Sequence, residues 1–95
     1  MSRRATKFNK RDGSEPEILA ALAKLGVTWI ESGPLDGWIA INGRFIPVEL
    51  KSTDGRLTQG QKAFIAHCER DGLPYRIWRH ANDAIESVNL WRNGG

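Results

Sequence analysis

The apolar positions of this chain switch between helical and strand spacing several times, and the switches outline its elements. Ile18, Leu19, Leu22 and Leu25 recur at the three-to-four interval of one helix face. They follow Ser14-Glu15-Pro16-Glu17, where Ser14 reads as an N-cap and Pro16 falls in the first turn, where its missing N–H costs nothing. Gly26 is the expected C-cap, and Val27–Glu31, rich in β-formers, reads as a short strand. The loop Ser32-Gly33-Pro34-Leu35 leads to Trp38-Ile39-Ala40-Ile41, then Asn42-Gly43, then Arg44 through Lys51. Asn-Gly between two such runs is a strong hairpin-turn signal. A second helix is expected from Thr58 as N-cap to Asp71, with Gly72 as C-cap and Pro74 just beyond. Tyr75–Arg79 reads as another strand, Asp83–Leu90 as a last helix, and Asn93-Gly94-Gly95 as a frayed end.

The hairpin register follows from its turn. With Asn42 and Gly43 as the two loop residues, Ile41 faces Arg44, and counting down the ladder sets Asp36 directly across from Glu49. Side chains alternate along a strand, so Ile39, Ile41, Ile46, Val48 and Leu50 share an apolar face. Asp36, Trp38, Glu49 and Lys51 share the other. Asp36 and Glu49 would form a non-hydrogen-bonded pair, with Cβ atoms roughly 4.5–5.5 Å apart. Two carboxylates that close repel unless a cation lies between them, and hard oxygen ligands suit Mg²⁺ or Mn²⁺, which keep several waters and accept phosphate oxygens. Lys51 points the same way, where its ammonium can hold a water or stabilise developing negative charge. The structural alternative is a surface carboxylate pair with Lys51 as a salt-bridge neighbour.

Composition limits what such a site can be built on. Ninety-five residues, 40% of them hydrophobic, allow one compact domain with one modest core, expected over residues 14–92. Residues 1–13 read as a flexible basic arm, because Arg3, Arg4, Lys7, Lys10 and Arg11 precede the first acidic residue, Asp12. Beyond residues 1–13, nine of the fourteen cations stand against ten of the eleven anions, so the positive net charge comes from the arm. An arm of this kind suits a polyanion such as DNA, each phosphate contact releasing a counterion; charge alone fits a solvated tail equally well. A single cysteine, Cys68, forms no internal disulfide and no zinc-ligand spacing, which fits a reducing compartment. The apolar runs are strand-length and the start of the chain lacks a signal-like stretch, so a cytoplasmic protein without a membrane partner is expected.

Pro34-Leu35-Asp36 followed by Glu49-Leu50-Lys51 resembles the PD-(D/E)XK nuclease signature. The element order from about Ser14 to Val88 resembles that superfamily's core. Glu49-Leu50-Lys51-Ser52, Asp54-Gly55-Arg56-Leu57, Thr58-Gln59-Gly60-Gln61 and Asn82-Asp83-Ala84-Ile85 resemble stand-alone, phage-type VRR-NUC domains. Leu35, between Pro34 and Asp36, departs from the pattern and alters the local turn. The resemblance implies an α/β fold with a restriction-endonuclease-like core, in the order helix–strand–hairpin–helix–strand–helix around a small mixed sheet. It also implies a metal-dependent, structure-specific DNA endonuclease in a bacterial or phage-infected cell, with branched or junction DNA as substrate.

Under that resemblance the catalytic set is Asp36, Glu49, Lys51, Glu17 and Gln61, and the metal ligands are Asp36, Glu49 and the carbonyl of Leu50. Glu17 is the match for a first-helix glutamate, with Glu15 second, although Ser14-x-x-Glu17 is also a capping box. Thr58-x-x-Gln61 is another, yet Gln61 shares a helical stripe with Phe64, Ile65 and Cys68 and would point inward. Arg56 and Lys62 flank the site in sequence and are phosphate-contact candidates, with solvated surface charge as the default. His67 and His80 share no ligand spacing, and the four tryptophans read first as packing, Trp38 being the exception by its face. Two paired cuts on a symmetric junction imply a homodimer, possible as a Holliday-junction resolvase. The alternatives are a non-catalytic nucleic-acid-binding module of the same fold, or a nuclease acting on flaps, nicks or single strands.

Overall fold

The computed structural model describes residues 14–94. The expected arm residues Arg3, Arg4, Lys7, Lys10 and Arg11 lie outside them. The described chain runs α1 (Ser14–Lys24), β1 (Thr28–Ile30), β2 (Gly37–Ile41), β3 (Arg44–Leu50), α2 (Gln59–Asp71), β4 (Arg76–Trp78) and α3 (Ala81–Arg92). This is a small α/β fold around one four-stranded mixed sheet of order β1-β2-β3-β4. β1, β2 and β3 pair antiparallel, and β4 joins β3 in parallel after the α2 crossover that a parallel pair requires.

The hairpin has the expected register: Ile41 faces Arg44, Ile39 faces Ile46 and Gly37 faces Val48. Asn42 and Gly43 both take positive φ, 52° and 78°, as a type I′ turn demands. The Asn42 amide donates to the carbonyl of Trp91, tying the turn to the end of α3. Pro47 is tolerated because it faces Trp38 at a position whose backbone points away from β2, and β4 pairing begins only at Val48.

Strand alternation then divides the sheet. Ile39, Ile41, Ile46, Val48, Leu50 and Trp78 bury one face against Ile18 and Leu22 of α1 and Ala84, Val88 and Trp91 of α3. Arg76 spreads its guanidinium over the Trp91 ring at 4.8 Å, and Trp78 donates its indole N–H to Ser87 Oγ at 3.1 Å. The opposite face carries Glu49 and meets α2. Ile65 and Cys68 are the buried residues of that helix, and Phe64 is half-buried, as the expected stripe required.

Both ends of α2 are as the sequence predicts: Thr58 and Gln61 form a capping box, and Gly72 closes the helix in the left-handed conformation. The strands β1 and β4 are shorter than expected, and α3 begins two residues before Asp83 and ends two beyond Leu90. The early start has a cause in Asp83, whose Oδ2 accepts the N–H groups of Arg79 at 2.9 Å and His80 at 3.2 Å. Among the described residues no helix is long and apolar enough to cross a membrane.

Candidate functional site

Glu49 is the penultimate residue of β3, flanked by Val48 and Leu50, which anchor the strand on the other face, and it is 1% exposed. Its Oε2 accepts a hydrogen bond from Gln61 Nε2 at 2.7 Å and lies 3.5 Å from the ammonium of Lys51. Burying a carboxylate costs several kcal/mol in order of magnitude unless charged or hydrogen-bonding partners surround it. Here they come from two directions, one from the next same-face residue of the chain and one from the first turn of α2.

Gln61 performs two tasks at once. Its Oε1 accepts the Thr58 N–H at 2.8 Å and completes the cap, while its Nε2 reaches inward to Glu49. The capping and inward-pointing readings of this residue are therefore compatible. The cap fixes the side chain in the rotamer that serves the carboxylate.

Asp36 stands just outside β2, one residue before the last paired position, Gly37. The expected ladder pair with Glu49 is replaced by a side-chain contact: Asp36 Oδ2 accepts the Leu50 N–H at 2.8 Å. Continuing the ladder would bring the Leu35 carbonyl to that N–H, but the pairing ends at Gly37 and residues 33–36 form a bend. The Asp36 carboxylate takes the place of the missing carbonyl. In an extended strand the N–H and C=O of one residue point to the same edge, so the Leu50 carbonyl faces the Asp36 side. The donor set of Asp36, Glu49 and the Leu50 carbonyl is all oxygen, with two carboxylates, and fits the chemistry of Mg²⁺ or Mn²⁺, which fill the remaining positions with water and phosphate. Among the described residues no group of three or more His, Cys, Asp or Glu side chains is gathered for a metal.

The segment after β3 is fixed by a residue that local sequence reading does not single out. Arg79 Nη1 donates to the carbonyls of Ser52 at 2.7 Å and Gly55 at 2.8 Å, with Thr53 O at 3.5 Å. Gly55 in turn lies over Lys51, where a Cβ on Gly55 would sit 3.1 Å from Lys51 Cδ. The guanidinium thus holds the turn that packs on the lysine stem. Its only sequence signal is a cation at the end of the expected strand Tyr75–Arg79.

The remaining expected residues separate. On α1, Ile18 and Leu22 define the buried stripe, and Glu15, three residues before Ile18, falls on it at 4% exposure with Oε1 buried. Glu17 is exposed and instead borders a cleft of about 420 Å³ between α1 and α3, with Lys24 and Ile85. The enclosed carboxylate of this helix is therefore the second candidate and not the first. Arg56 and Lys62 are exposed. His67 is exposed and bonds Arg70 through Nδ1 at 2.6 Å, and His80 is exposed ahead of α3. Burial, reinforced by the Asp71 and Glu69 carboxylates, pushes the Cys68 thiol up, so it stays protonated. The bond from Tyr75 to Glu69, 2.6 Å long, pushes the phenol up. Neither group belongs to the Glu49 cluster. The chain matches no protein-family model, no curated protein and no solved structure.

Proposed function

We propose that the chain is a metal-dependent nuclease that hydrolyses phosphodiester bonds in DNA, with Asp36, Glu49 and the Leu50 carbonyl as ligands for Mg²⁺ or Mn²⁺. The observation that carries this reading is the fully buried Glu49 carboxylate, held by Gln61 at 2.7 Å and Lys51 at 3.5 Å, with Asp36 bonded at 2.8 Å to the N–H of the next residue, Leu50. A sheet built only for stability has no use for a buried carboxylate there, since a hydrophobic residue of similar volume does as well or better. When bound, a divalent ion polarises the phosphoryl oxygens and lowers the pKa of its water. The chain's own groups supply the rest. Gln61 fixes the Glu49 carboxylate, Lys51 presents an ammonium where a water would be oriented and negative charge develops, and Arg79 steadies the turn behind that ammonium. Arg56, Lys62 and the leading arm are the proposed phosphate contacts.

Branched DNA is the proposed substrate, and paired cuts on a four-way junction require a homodimer. The test is a cleavage assay with Mg²⁺ or Mn²⁺ on four-way junction, flap, linear duplex and single-stranded DNA, with sedimentation of the free and junction-bound protein. Cleavage concentrated on branched substrates is expected. No cleavage of any substrate with either metal overturns the reading, and a monomer on the junction overturns the dimer.

A further inference from the structure

α2 meets the Glu49 face of the sheet through the bond from Gln61 to Glu49, and the part of that face toward β1 is apolar. Strand parity and register put Thr28 and Ile30 of β1, Trp38 and Ala40 of β2, and Phe45 and Pro47 of β3 on that same face. Ile30, at the end of the edge strand β1, is 39% exposed, and Phe45, beside the hairpin turn, is 59% exposed, so two large apolar side chains face solvent here. Trp38 and Phe45 meet edge to face, with ring centroids 6.5 Å apart and planes at 81°. Between them, with Ile30 and Ser32, lies a groove of about 260 Å³. One wall is rigid: a Cβ at Gly33 would come within 2.3 Å of Trp38 Nε1, so the glycine backbone lies directly against the indole and holds it in place.

We infer that this groove seats an unpaired nucleobase, stacked on Trp38 and Phe45, beside the phosphate handled by Glu49 and Lys51. The inference rests on the nuclease reading of that cluster and names the feature of the substrate it selects. Position supports it first. Trp38 faces Pro47, and Glu49 is the next same-face residue of β3, a diagonal relation that sets their Cβ atoms roughly 7–8 Å apart. A base against Trp38 thus belongs to a nucleotide at or next to the one whose phosphate reaches Lys51. Chemistry supports it second, because aromatic rings in a shallow groove with little hydrogen-bonding capacity bind the π-face of any base, and the strand's phosphates suit the basic leading arm and the exposed Arg56 and Lys62.

Size argues against other occupants. A stable subunit interface takes about 20–30 residues on each side, far more than this groove offers, and a docked helix needs anchors over several turns. A base inside a duplex keeps both faces stacked on its neighbours and cannot enter; only a splayed or single-stranded base can. The groove therefore selects strands with unpaired bases near the cut.

The test uses the full chain in EDTA, with fluorescence anisotropy of a labelled oligothymidine and of a blunt duplex of equal length. Phe45→Ala and Trp38→Ala should each weaken binding of the single strand by about tenfold while leaving duplex binding within about twofold, and Trp38→Phe should restore most of the loss. If Trp38→Ala does not fold, because Gly33 packs on the indole, Phe45→Ala decides, since its ring is exposed. Equal losses on both probes, or no loss, overturn the inference. So does sedimentation in which Phe45→Ala converts a dimer into a monomer, which would make the groove part of a subunit interface. Selective loss in the variants, together with no cleavage by the wild-type chain with Mn²⁺, keeps the base platform and removes the nuclease. A chain that cleaves without the selective loss does the reverse.

Discussion

Val48 and Glu49 are neighbours in β3, at 0% and 1% exposure, and they face opposite sides of one sheet. Burial of Val48 against α1 and α3 is favourable by about 1.5–3 kcal/mol relative to an exposed side chain. Burial of the Glu49 carboxylate is unfavourable by several kcal/mol in order of magnitude before its partners act, and Gln61 and Lys51 offset part of that. The strand thus stabilises the fold on one side and carries a group on the other that stability alone does not call for. The two faces should respond to mutation in opposite ways.

The largest effect should come from moving the carboxylate by one residue. Val48→Asp places a charge in the cluster of Ile39, Ile46, Leu50 and Trp78, where the cation paired with it in register, Arg76, is already engaged on the Trp91 ring. An unpaired buried ion costs several kcal/mol against a total stability of about 5–15 kcal/mol for a domain, so the variant should not fold at neutral pH. Circular dichroism and thermal melting check this. A cooperative melt near that of the native chain would mean that the two faces are not distinct.

On the other face, loss of charge should affect chemistry first. Lys51→Met keeps the stem under Gly55 and removes the ammonium from Glu49. If that charge acts on the reacting groups, single-turnover cleavage should fall by about 10²–10³, or about 3–4 kcal/mol in the barrier, as for removal of one preorganised donor. Folding and DNA affinity should persist, because Lys51 packs on the polar side, away from the Val48 and Leu50 layer. Near-normal cleavage by the folded variant would take Lys51 out of the mechanism.

This contrast was legible in the sequence to the extent that it depends on local rules. Asn42-Gly43 determines the turn, the turn determines the register, and alternation then assigns Val48 and Glu49 to opposite faces. Thr58 and Gln61 likewise announce the start of α2 within four residues. What was not legible depends on where the chain goes after a local rule ends. Asp36 leaves the ladder in the bend over residues 33–36, a chain path that spacing does not reveal. The choice between Glu15 and Glu17 turns on which side of α1 meets the core, whereas the resemblance matches Glu17 by its place just before Ile18-Leu19, without reference to burial. Arg79 binds carbonyls 24 to 27 residues earlier in the chain, and nothing local marks such a contact.

Arg79 gives an intermediate prediction. Its guanidinium makes charge-assisted bonds to Ser52 O and Gly55 O, and a hydrogen bond to a charged group contributes about 1.5–3 kcal/mol. Arg79→Met should lower stability by roughly that amount and speed hydrogen exchange at the Gly55 N–H, which bonds Ser52 O at 3.0 Å. Arg79→Lys should recover part of both, since an ammonium can serve two carbonyls. If protection at Gly55 is unchanged in Arg79→Met, the turn holds itself and Arg79 does not position Lys51.

The smallest effect on stability, and the one that separates a structural carboxylate from a functional one, is expected for Glu49→Gln. The substitution keeps the shape of the side chain and an oxygen to accept the Gln61 amide, and it removes the buried charge. Lys51 then loses its partner, but its side chain is 16% exposed and its long stem can carry the ammonium to water, so no charge is left stranded inside. Relief of the carboxylate's desolvation and loss of the ion pair should nearly cancel, leaving the melting temperature unchanged or higher. If the carboxylate were there to hold the fold, the melting temperature would fall by more than about 5 °C, the equivalent of about 1 kcal/mol in a domain of this size. Mn²⁺ affinity should respond in the opposite sense: the neutral amide is a far poorer ligand for a hard cation, so titration of the variant in the presence of DNA should show the metal binding lost while the melt is retained. A variant that melts like the native chain and still binds Mn²⁺ as tightly would leave Glu49 buried but would remove it from the metal site.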